Sequence, residues 1–577
     1  MIDRRTPGTL LLAILILAGG CASSQGSGGR SIAGELIVIA LDQGADAAIT
    51  QYAAWRKTGR PGYDLSVRQL RLVGSRLVTD GYYRDALDIF DYIARVNARD
   101  STARVDLADA YFRNGDRDSA RVHYRGALDL LSGDLSLSKD EKRSVIQHSR
   151  SRLLRIRNEP MYRELCGLYQ TSNGDTVSIS LIELDIQQVQ SSLRMTNLDN
   201  GETRVLSWRE EKSFAVGSGY LLELPVERTF HFSESGDEQL MEIDQHGSPP
   251  VMSSRVHRYR EEPVRFNSRA VELAGTLSYP DGEGPHPAVV LVHGSGSVGR
   301  DMPGFGELSH LFLRRGFAVL RYDKRGVGES QGNWRLASLE DLAEDAEAAA
   351  RLLRSKPDIE PDGIGLLGFS QGAWIATIAT ARDPRIAWLT LVSGGGIPPS
   401  EQETYRVEAE MRAAGYDEVN VREAADFMRL KLETARTGNH WPEFEDAVNR
   451  LEGREWFPHM TGTWARLSSA RFGWNQILGH DPAPFLDQIK VPILAVYGGI
   501  DTRVPSRQIV AELKTRLGDR VPLATHILPK ANHLMLEAIT GDLRGDGELP
   551  SLTRYVPEFF SLIESWADSV RVASDAE

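Results

Sequence analysis

Ser370 stands in Gly368-Phe369-Ser370-Gln371-Gly372, between an apolar run of strand formers, Ile364 to Leu367, and the helix-like Ala373 to Ala379. A Gly-x-Ser-x-Gly pattern in that setting is a nucleophile elbow, a strained strand-to-helix turn that projects a hydroxyl and leaves no room for side chains two residues either side. A serine hydroxyl is a poor nucleophile at neutral pH, so a base must take its proton and a third group must orient that base. His533, in Pro529-Lys530-Ala531-Asn532-His533, has the chemistry of the base, and Asp501, in Gly498-Gly499-Ile500-Asp501, that of the orienting acid. Asp481 and Asp487 precede the strand before Asp501 and are poorer candidates. Attack on a carbonyl carbon builds an oxyanion, which backbone N–H groups stabilise. The amide of Gln371, opening a helix, is one expected donor, and that of Ser295 or Gly296, in the turn His293-Gly294-Ser295-Gly296, is the other. His293 is expected to be structural, and Asp323 and Arg325 to brace their own loop.

These residues need a scaffold that brings distant segments together. From about Val264 onward, apolar runs alternate with helical segments, the pattern of a mainly parallel sheet. Ala270 to Tyr279 is predicted as an early antiparallel strand. Ala288–His293, Phe317–Tyr322, Gly363–Leu367, Trp388–Val392, Ile493–Tyr497 and Ala524–Leu528 follow as strands. Phe305–Arg315, Ser338–Arg354, Gln371–Ala381, Ser506–Leu517 and Val556–Ala567 are the predicted helices. Each candidate side chain falls just beyond a strand's carboxyl end, where ligands bind in open α/β sheets.

The order Ser370, Asp501, His533, the elbow, the His293-Gly294 turn and the loop Asp323-Lys324-Arg325-Gly326-Val327-Gly328-Glu329-Ser330 together resemble the α/β-hydrolase superfamily. The resemblance covers about Val264 to Val570. It implies helices on both faces of the sheet and a helical cap, here about residues 397–485, with helices at Thr404–Ala413, Val421–Thr437 and Trp441–Leu451. Trp441, Phe444, Trp456, Phe457, Trp464, Phe472 and Trp474 cluster there, as an apolar roof over a substrate or as ordinary helix packing. It also implies cleavage of carboxylic esters through an acyl-enzyme. Dienelactone-hydrolase-like and serine aminopeptidase-like members share the elbow, so a peptidase acting on amides is the alternative. A tethered, non-catalytic adaptor is the reading from a different class, and the full Ser/Asp/His set argues against it.

The rest of the chain divides into further regions. Arg4 and Arg5 precede an apolar run, Leu10 to Ala18, too short to span a bilayer. Leu17-Ala18-Gly19-Gly20-Cys21 then resembles a bacterial lipoprotein signal, although Ala18 stands where leucine is more usual. The resemblance implies a signal peptide over 1–20, lipidation of Cys21, a Gly/Ser tether over 21–32, and residence in the cell envelope, at the periplasmic side of the outer membrane, since Ala22 is not Asp. A plain secretory signal with an incidental cysteine is the alternative.

Residues 33–160 read as helical and repeat: Val73, Gly74, Leu77, Gly81, Ala86 and Phe90 recur as Leu107, Ala108, Tyr111, Gly115, Ala120 and Tyr124, each 34 residues on. That is the tetratricopeptide period, with small residues where paired helices touch. Lys139 to Ile156 is predicted as a capping helix, and the repeat serves either as a groove for a protein partner or as a spacer. Residues 161–262 alternate in Val177–Leu181 and Thr229–Phe232 between Asn/Gly-rich turns, which predicts a small antiparallel meander or barrel. Residues 263–577 complete a multidomain chain.

At 577 residues several cores are required, and the net charge of −13 argues against nucleic acid. Two distant cysteines, Cys21 and Cys166, build neither a disulfide framework nor a thiolate zinc site, and Cys166 reads as a buried small hydrophobe. No dinucleotide fingerprint, phosphate loop or His-rich cluster occurs, so no cofactor or metal is expected.

Overall fold

A computed structural model describes residues 30–574 apart from 80–81, 132, 135–136, 183–192, 221–223, 258, 335, 452, 458–474 and 544–547. The signal, Cys21, most of the tether, Gly81, Trp464, Phe472 and Trp474 lie outside the described residues. The chain divides into two compact units, the first ending at Arg157 and the second beginning at Asn158.

Apart from a short parallel pair, Arg30–Ser31 with Tyr63–Asp64, the first unit is helical: α1 (Ala33–Gln43), α2 (Ala45–Thr58), α3 (Val67–Thr79), α4 (Tyr83–Val96), α5 (Ser101–Arg113), α6 (Arg117–Leu130) and the start of α7 (Lys139–Leu165). Asp100 and Asp116 set where α5 and α6 begin, each accepting a hydrogen bond from the amide three residues on. The small-against-large spacing has a physical cause. A Cβ on Gly74 would come within 2.7 Å of the Phe90 ring, so only glycine lets α3 approach α4 there. In the next pair Ala108, Phe112, Ala120 and Tyr124 share one buried cluster. Helix α7 extends past the predicted Ile156 and through Pro160 to Leu165.

In the second unit, eight strands close into an antiparallel barrel: β1 (Gly167–Thr171), β2 (Thr176–Leu181), β3 (Leu193–Asn197), β4 (Thr203–Glu210), β5 (Ser213–Val216), β6 (Arg228–Ser235), β7 (Glu238–Gln245) and β8 (Val251–His257), with β8 pairing β1. Tyr169, Val177, Ile179, Met195, Phe214 and Phe230 fill its interior. An antiparallel barrel commonly leaves its outer face in water, yet β3 is buried along its whole length. Ser178 meets His310 at 2.7 Å, Ser180 and Thr196 donate to Glu307, and Gly201 carries a backbone hydrogen bond from Tyr555 at 2.7 Å. The boundary drawn at 262/263 falls inside the strand Arg260–Ser268 of the sheet domain, and the barrel's outer polar side chains pack against that domain.

That domain begins with β9 (Arg260–Ser268), a strand the sequence analysis did not single out. It continues with β10 (Val271–Tyr279), β11 (His286–Val292), β12 (Ala318–Tyr322), β13 (Ile359–Phe369), β14 (Trp388–Val392), β15 (Ile493–Gly498) and β16 (Leu523–Leu528). The order is β9-β10-β12-β11-β13-β14-β15-β16. Only the hairpin strand β10 and its partners run antiparallel; from β12 to β16 every pair is parallel. Strands buried on both faces read as unbroken apolar runs, as in β11, where every residue is buried.

Helices α8 (Phe305–Arg314), α9 (Leu339–Arg354), α10 (Gln371–Arg382), α14 (Ser506–Leu517) and α15 (Pro557–Ser574) accompany this sheet, and α11 (Pro399–Ala413), α12 (Glu418–Thr437) and α13 (Trp441–Leu451) form the inserted helical segment. Two apolar clusters, one containing Leu366, Ile375 and Leu342 and the other Val289, Phe312 and Phe559, flank the sheet. In the insertion Phe427 stacks on Phe444 and packs on Phe457, and Trp456 is 1% exposed, so these aromatics pack helices together. Among the described residues no helix is long and apolar enough to cross a membrane.

Candidate active site

The elbow is built as the glycines require. Ser370 sits between β13 and α10 with φ 54° and ψ −118°, a conformation a non-glycine residue holds only under constraint. A Cβ on Gly368 would lie 2.2 Å from the Gly372 carbonyl oxygen, and one on Gly372 2.2 Å from that of Val292. The Ser370 amide is tied to the Val392 carbonyl at 2.8 Å.

Two further loops meet at the elbow. Ser370 Oγ lies 3.0 Å from His533 Nε2, and His533 Nδ1 lies 2.9 Å from Asp501 Oδ2. Both His533 and Asp501 are buried. The second carboxylate oxygen of Asp501 accepts the amides of Arg503 at 2.7 Å and Val504 at 3.1 Å, which fixes the acid's rotamer. Asn532, fully buried, accepts the amides of Leu534 and Leu536, and Ser393 donates to the His533 carbonyl at 2.9 Å. Tyr405 of α11 donates to the Asp501 backbone carbonyl at 3.0 Å, which brings the helical insertion to this rim. Asp481 and Asp487 make no contact with His533; Asp481 caps the turn at Ala483.

The loops around the site are tied to one another and to α9. His293 is buried and its Nε2–H donates to the Tyr322 carbonyl, 2.7 Å away; burial pushes its pKa down to about 3, so the ring is neutral. Asp323 takes Arg300 and the amide of Glu329, and Arg325 pairs with buried Asp345. Cys166 donates to the Tyr162 carbonyl at 3.2 Å, and burial pushes its thiol up to about 12.

Lys324 is the residue the sequence reading missed. It is 1% exposed, and its ammonium donates to the carbonyls of Gly294 and, at 3.2 Å, Gly296, and to Gln371 Oε1 at 3.3 Å. Burial lowers its pKa to about 7. In a trans peptide the N–H points opposite to the C=O. Holding the Gly294 carbonyl therefore directs the Ser295 N–H away from Lys324; the Gly296 N–H belongs to a peptide whose carbonyl Lys324 does not hold. Gly294 itself abuts the nucleophile: a Cβ there would lie 3.3 Å from Ser370 Cβ. Gln371 is the first residue of α10, so its N–H has no partner within the helix. The only signal in sequence was a lysine inside the Asp-x-Arg-Gly loop, and nothing there says that it points inward. Among the described residues no group of three or more His, Cys, Asp or Glu side chains is placed to hold a metal ion.

Residues 289–538 match the alpha/beta hydrolase family. The matched stretch contains all three converging side chains and most of the parallel sheet, and it is called the hydrolase domain below. Among curated relatives, Esterase EstD of Thermotoga maritima is 26% identical over 283 residues, 48% of this chain and 60% of that protein. The 2,6-dihydropseudooxynicotine hydrolase of Paenarthrobacter nicotinovorans is 30% identical over 156 residues, 27% of this chain and 40% of that protein. The chain thus spans less than two thirds of the length of either relative. Among solved structures, a Pyrococcus furiosus esterase has a TM-score of 0.33 at 17% identity, covering 48% of this chain and 84% of that one. Dienelactone hydrolase from Anabaena variabilis has a TM-score of 0.30 at 16% identity, covering 54% and 97%.

Proposed function

We propose that the protein is a serine hydrolase that cleaves carboxylic esters through an acyl-enzyme. The observation that carries this is the relay Ser370–His533–Asp501, with 3.0 Å and 2.9 Å between its members. His533 takes the Ser370 proton as Oγ attacks the ester carbonyl, and the imidazolium that forms is held by Asp501. The same proton goes to the departing alkoxide. Water then attacks the acyl-enzyme, with His533 acting as base again and returning a proton to Ser370. The amides of Gln371 and Ser295 are assigned to the oxyanion, Lys324 orienting the second of them.

A fluorophosphonate probe followed by peptide mass mapping tests the reading. An adduct on Ser370, with turnover of p-nitrophenyl esters exceeding that of aminoacyl p-nitroanilides, supports it. The absence of an adduct favours a non-catalytic adaptor, and faster anilide turnover favours a peptidase.

We further propose that Cys21 is lipidated and anchors the chain in the cell envelope, at the periplasmic side of the outer membrane. Support comes from Arg4, Arg5, the apolar run to Ala18 and the Gly/Ser stretch after Cys21. Mass analysis of the mature N-terminus decides it: an acylated Cys21 supports the anchor, and an unmodified cysteine removes it. The 34-residue recurrence and the Gly74–Phe90 contact support a tetratricopeptide-like repeat that receives a protein partner.

A further inference from the structure

His533 stands in a short loop whose shape is fixed by its backbone. Ala531 bridges Glu537, and the Asn532 amide donates to the Leu536 carbonyl at 3.0 Å, closing the chain on itself around the histidine. Met535 within it has φ 62°, a left-handed conformation that a non-glycine residue keeps only when its surroundings hold it there. On the sheet side, Ser393 donates to the His533 carbonyl at 2.9 Å and the Ile500 amide to the Ala531 carbonyl at 3.2 Å.

The other side is held from outside the sheet. The Val556 amide donates to the Met535 carbonyl at 2.9 Å and the Glu537 amide to the Arg554 carbonyl at 2.8 Å, so residues 553–556 run antiparallel beside the loop. The opposite edge of that segment pairs with the barrel. The Tyr555 amide donates to the Gly201 carbonyl at 2.7 Å, and the Thr203 amide to the Thr553 carbonyl at 2.8 Å. Arg204 of β4 donates through Nη1 to the same Thr553 carbonyl at 2.7 Å. Three short stretches of backbone, from the β3–β4 turn, from 553–556 and from the histidine loop, thus lie side by side as one ladder. Such a ladder transmits position, because no stretch can slide without losing its hydrogen bonds. Its barrel end is tight: Gly201 has φ 79°, and a Cβ on it would lie 2.3 Å from the Tyr555 carbonyl oxygen.

We propose that the barrel positions the catalytic base: the β3–β4 turn, through Gly201 and Arg204, holds His533 at hydrogen-bonding distance from Ser370 by way of residues 553–556. The inference rests on the serine-hydrolase reading and gives the barrel a part in the reaction through position alone.

The test uses the full chain and reads kcat and KM for p-nitrophenyl butyrate, with the rate of fluorophosphonate labelling beside them. Gly201→Ala displaces residues 553–556 and lowers kcat by about 10- to 100-fold, while KM changes by less than about threefold, because a misplaced base costs rate rather than binding. Labelling slows by a similar factor, since it needs the same base. Gly236→Ala is the control. Gly236, in the β6–β7 turn, has φ 63° and open space around it, so the change carries backbone strain into the barrel without touching the ladder, and kcat stays at the wild-type value. Arg204→Met removes a donor without backbone strain and lowers kcat by about 3- to 10-fold. Equal losses of kcat in Gly201→Ala and Gly236→Ala would make the effect one of barrel stability and overturn the inference. A Gly201→Ala loss confined to KM would overturn it too, as would wild-type kcat in Arg204→Met, the variant that decides if Gly201→Ala does not fold. A wild type with neither adduct nor ester turnover overturns the serine-hydrolase reading, and this inference with it.

Discussion

Gly394, two residues past the end of β14, lies so close to the elbow that a Cβ on it would sit 2.2 Å from the Ser370 carbonyl oxygen and 2.9 Å from Ser370 Cα. The neighbours are backbone, so no side-chain movement relieves the clash. Gly394→Ala should lower kcat by at least ~100-fold by displacing Ser370, and destabilise by about 1–3 kcal/mol. Ester kinetics with a denaturant titration check both; wild-type kcat would contradict the tight fit.

The relay gives a graded expectation. Ser370→Ala should abolish the fluorophosphonate adduct. Asp501→Asn keeps the packing but presents His533 in the wrong tautomer, with kcat down by roughly 10⁴-fold. Both variants should melt close to the wild type, because neither change alters buried volume much; a variant with full activity would break the proposed roles.

Lys324 makes stability depend on pH in a defined direction. Its folded pKa is lowered to about 7 by burial, whereas an unfolded lysine titrates near ~10.4. Between those values the unfolded chain binds the extra proton, so stability rises with pH at up to about 1.4 kcal/mol per unit and levels off above the unfolded value. Below about 7 both states are charged and the desolvation cost is constant. Lys324→Met should remove this rise from urea titrations run between pH 7 and 10. By freeing the Gly294 carbonyl, it should also lower kcat by about 10- to 100-fold more than it raises KM. A variant with the wild-type pH dependence of stability would refute the assignment.

The Arg194–Glu307 pair is fully buried, with side-chain exposures of 0% and 1%. Arg194 holds the Glu307 carboxyl below its usual range against the opposing effect of burial. Arg194→Met leaves a buried carboxylate unpaired and should cost about 3–5 kcal/mol, whereas Arg194→Met with Glu307→Met should recover most of the loss. Denaturant midpoints of the two single variants and the double variant check this, and additive losses would show that the two side chains do not act as a pair.

Periodicity located the elements of the hydrolase domain well, because strands buried on both faces leave long apolar runs and Trp388–Val392 or Ser506–Leu517 are bounded by turn residues. Strand β9 was obscured by its charge: Arg260, Glu261, Glu262 and Arg265 mark an edge strand with a polar side, and Pro263 weakens the strand signal further. In the barrel, nothing in the alternation marked Ser178, Ser180 and Thr196 as covered, since sequence records that a residue is polar but not that a partner packs on it.

Local sequence by itself determined the elbow, because the backbone closure around Ser370 excludes a Cβ at 368 and 372 and therefore writes glycine into the chain. It also determined the chemical types of the other two members and their places after strands. Only the tertiary structure decided that Lys324 points inward at the Gly294 turn and that Arg194 meets Glu307 across 113 residues of chain. Such contacts depend on the direction of a side chain and on which surfaces meet, and those are properties of packing among distant segments rather than of any local pattern.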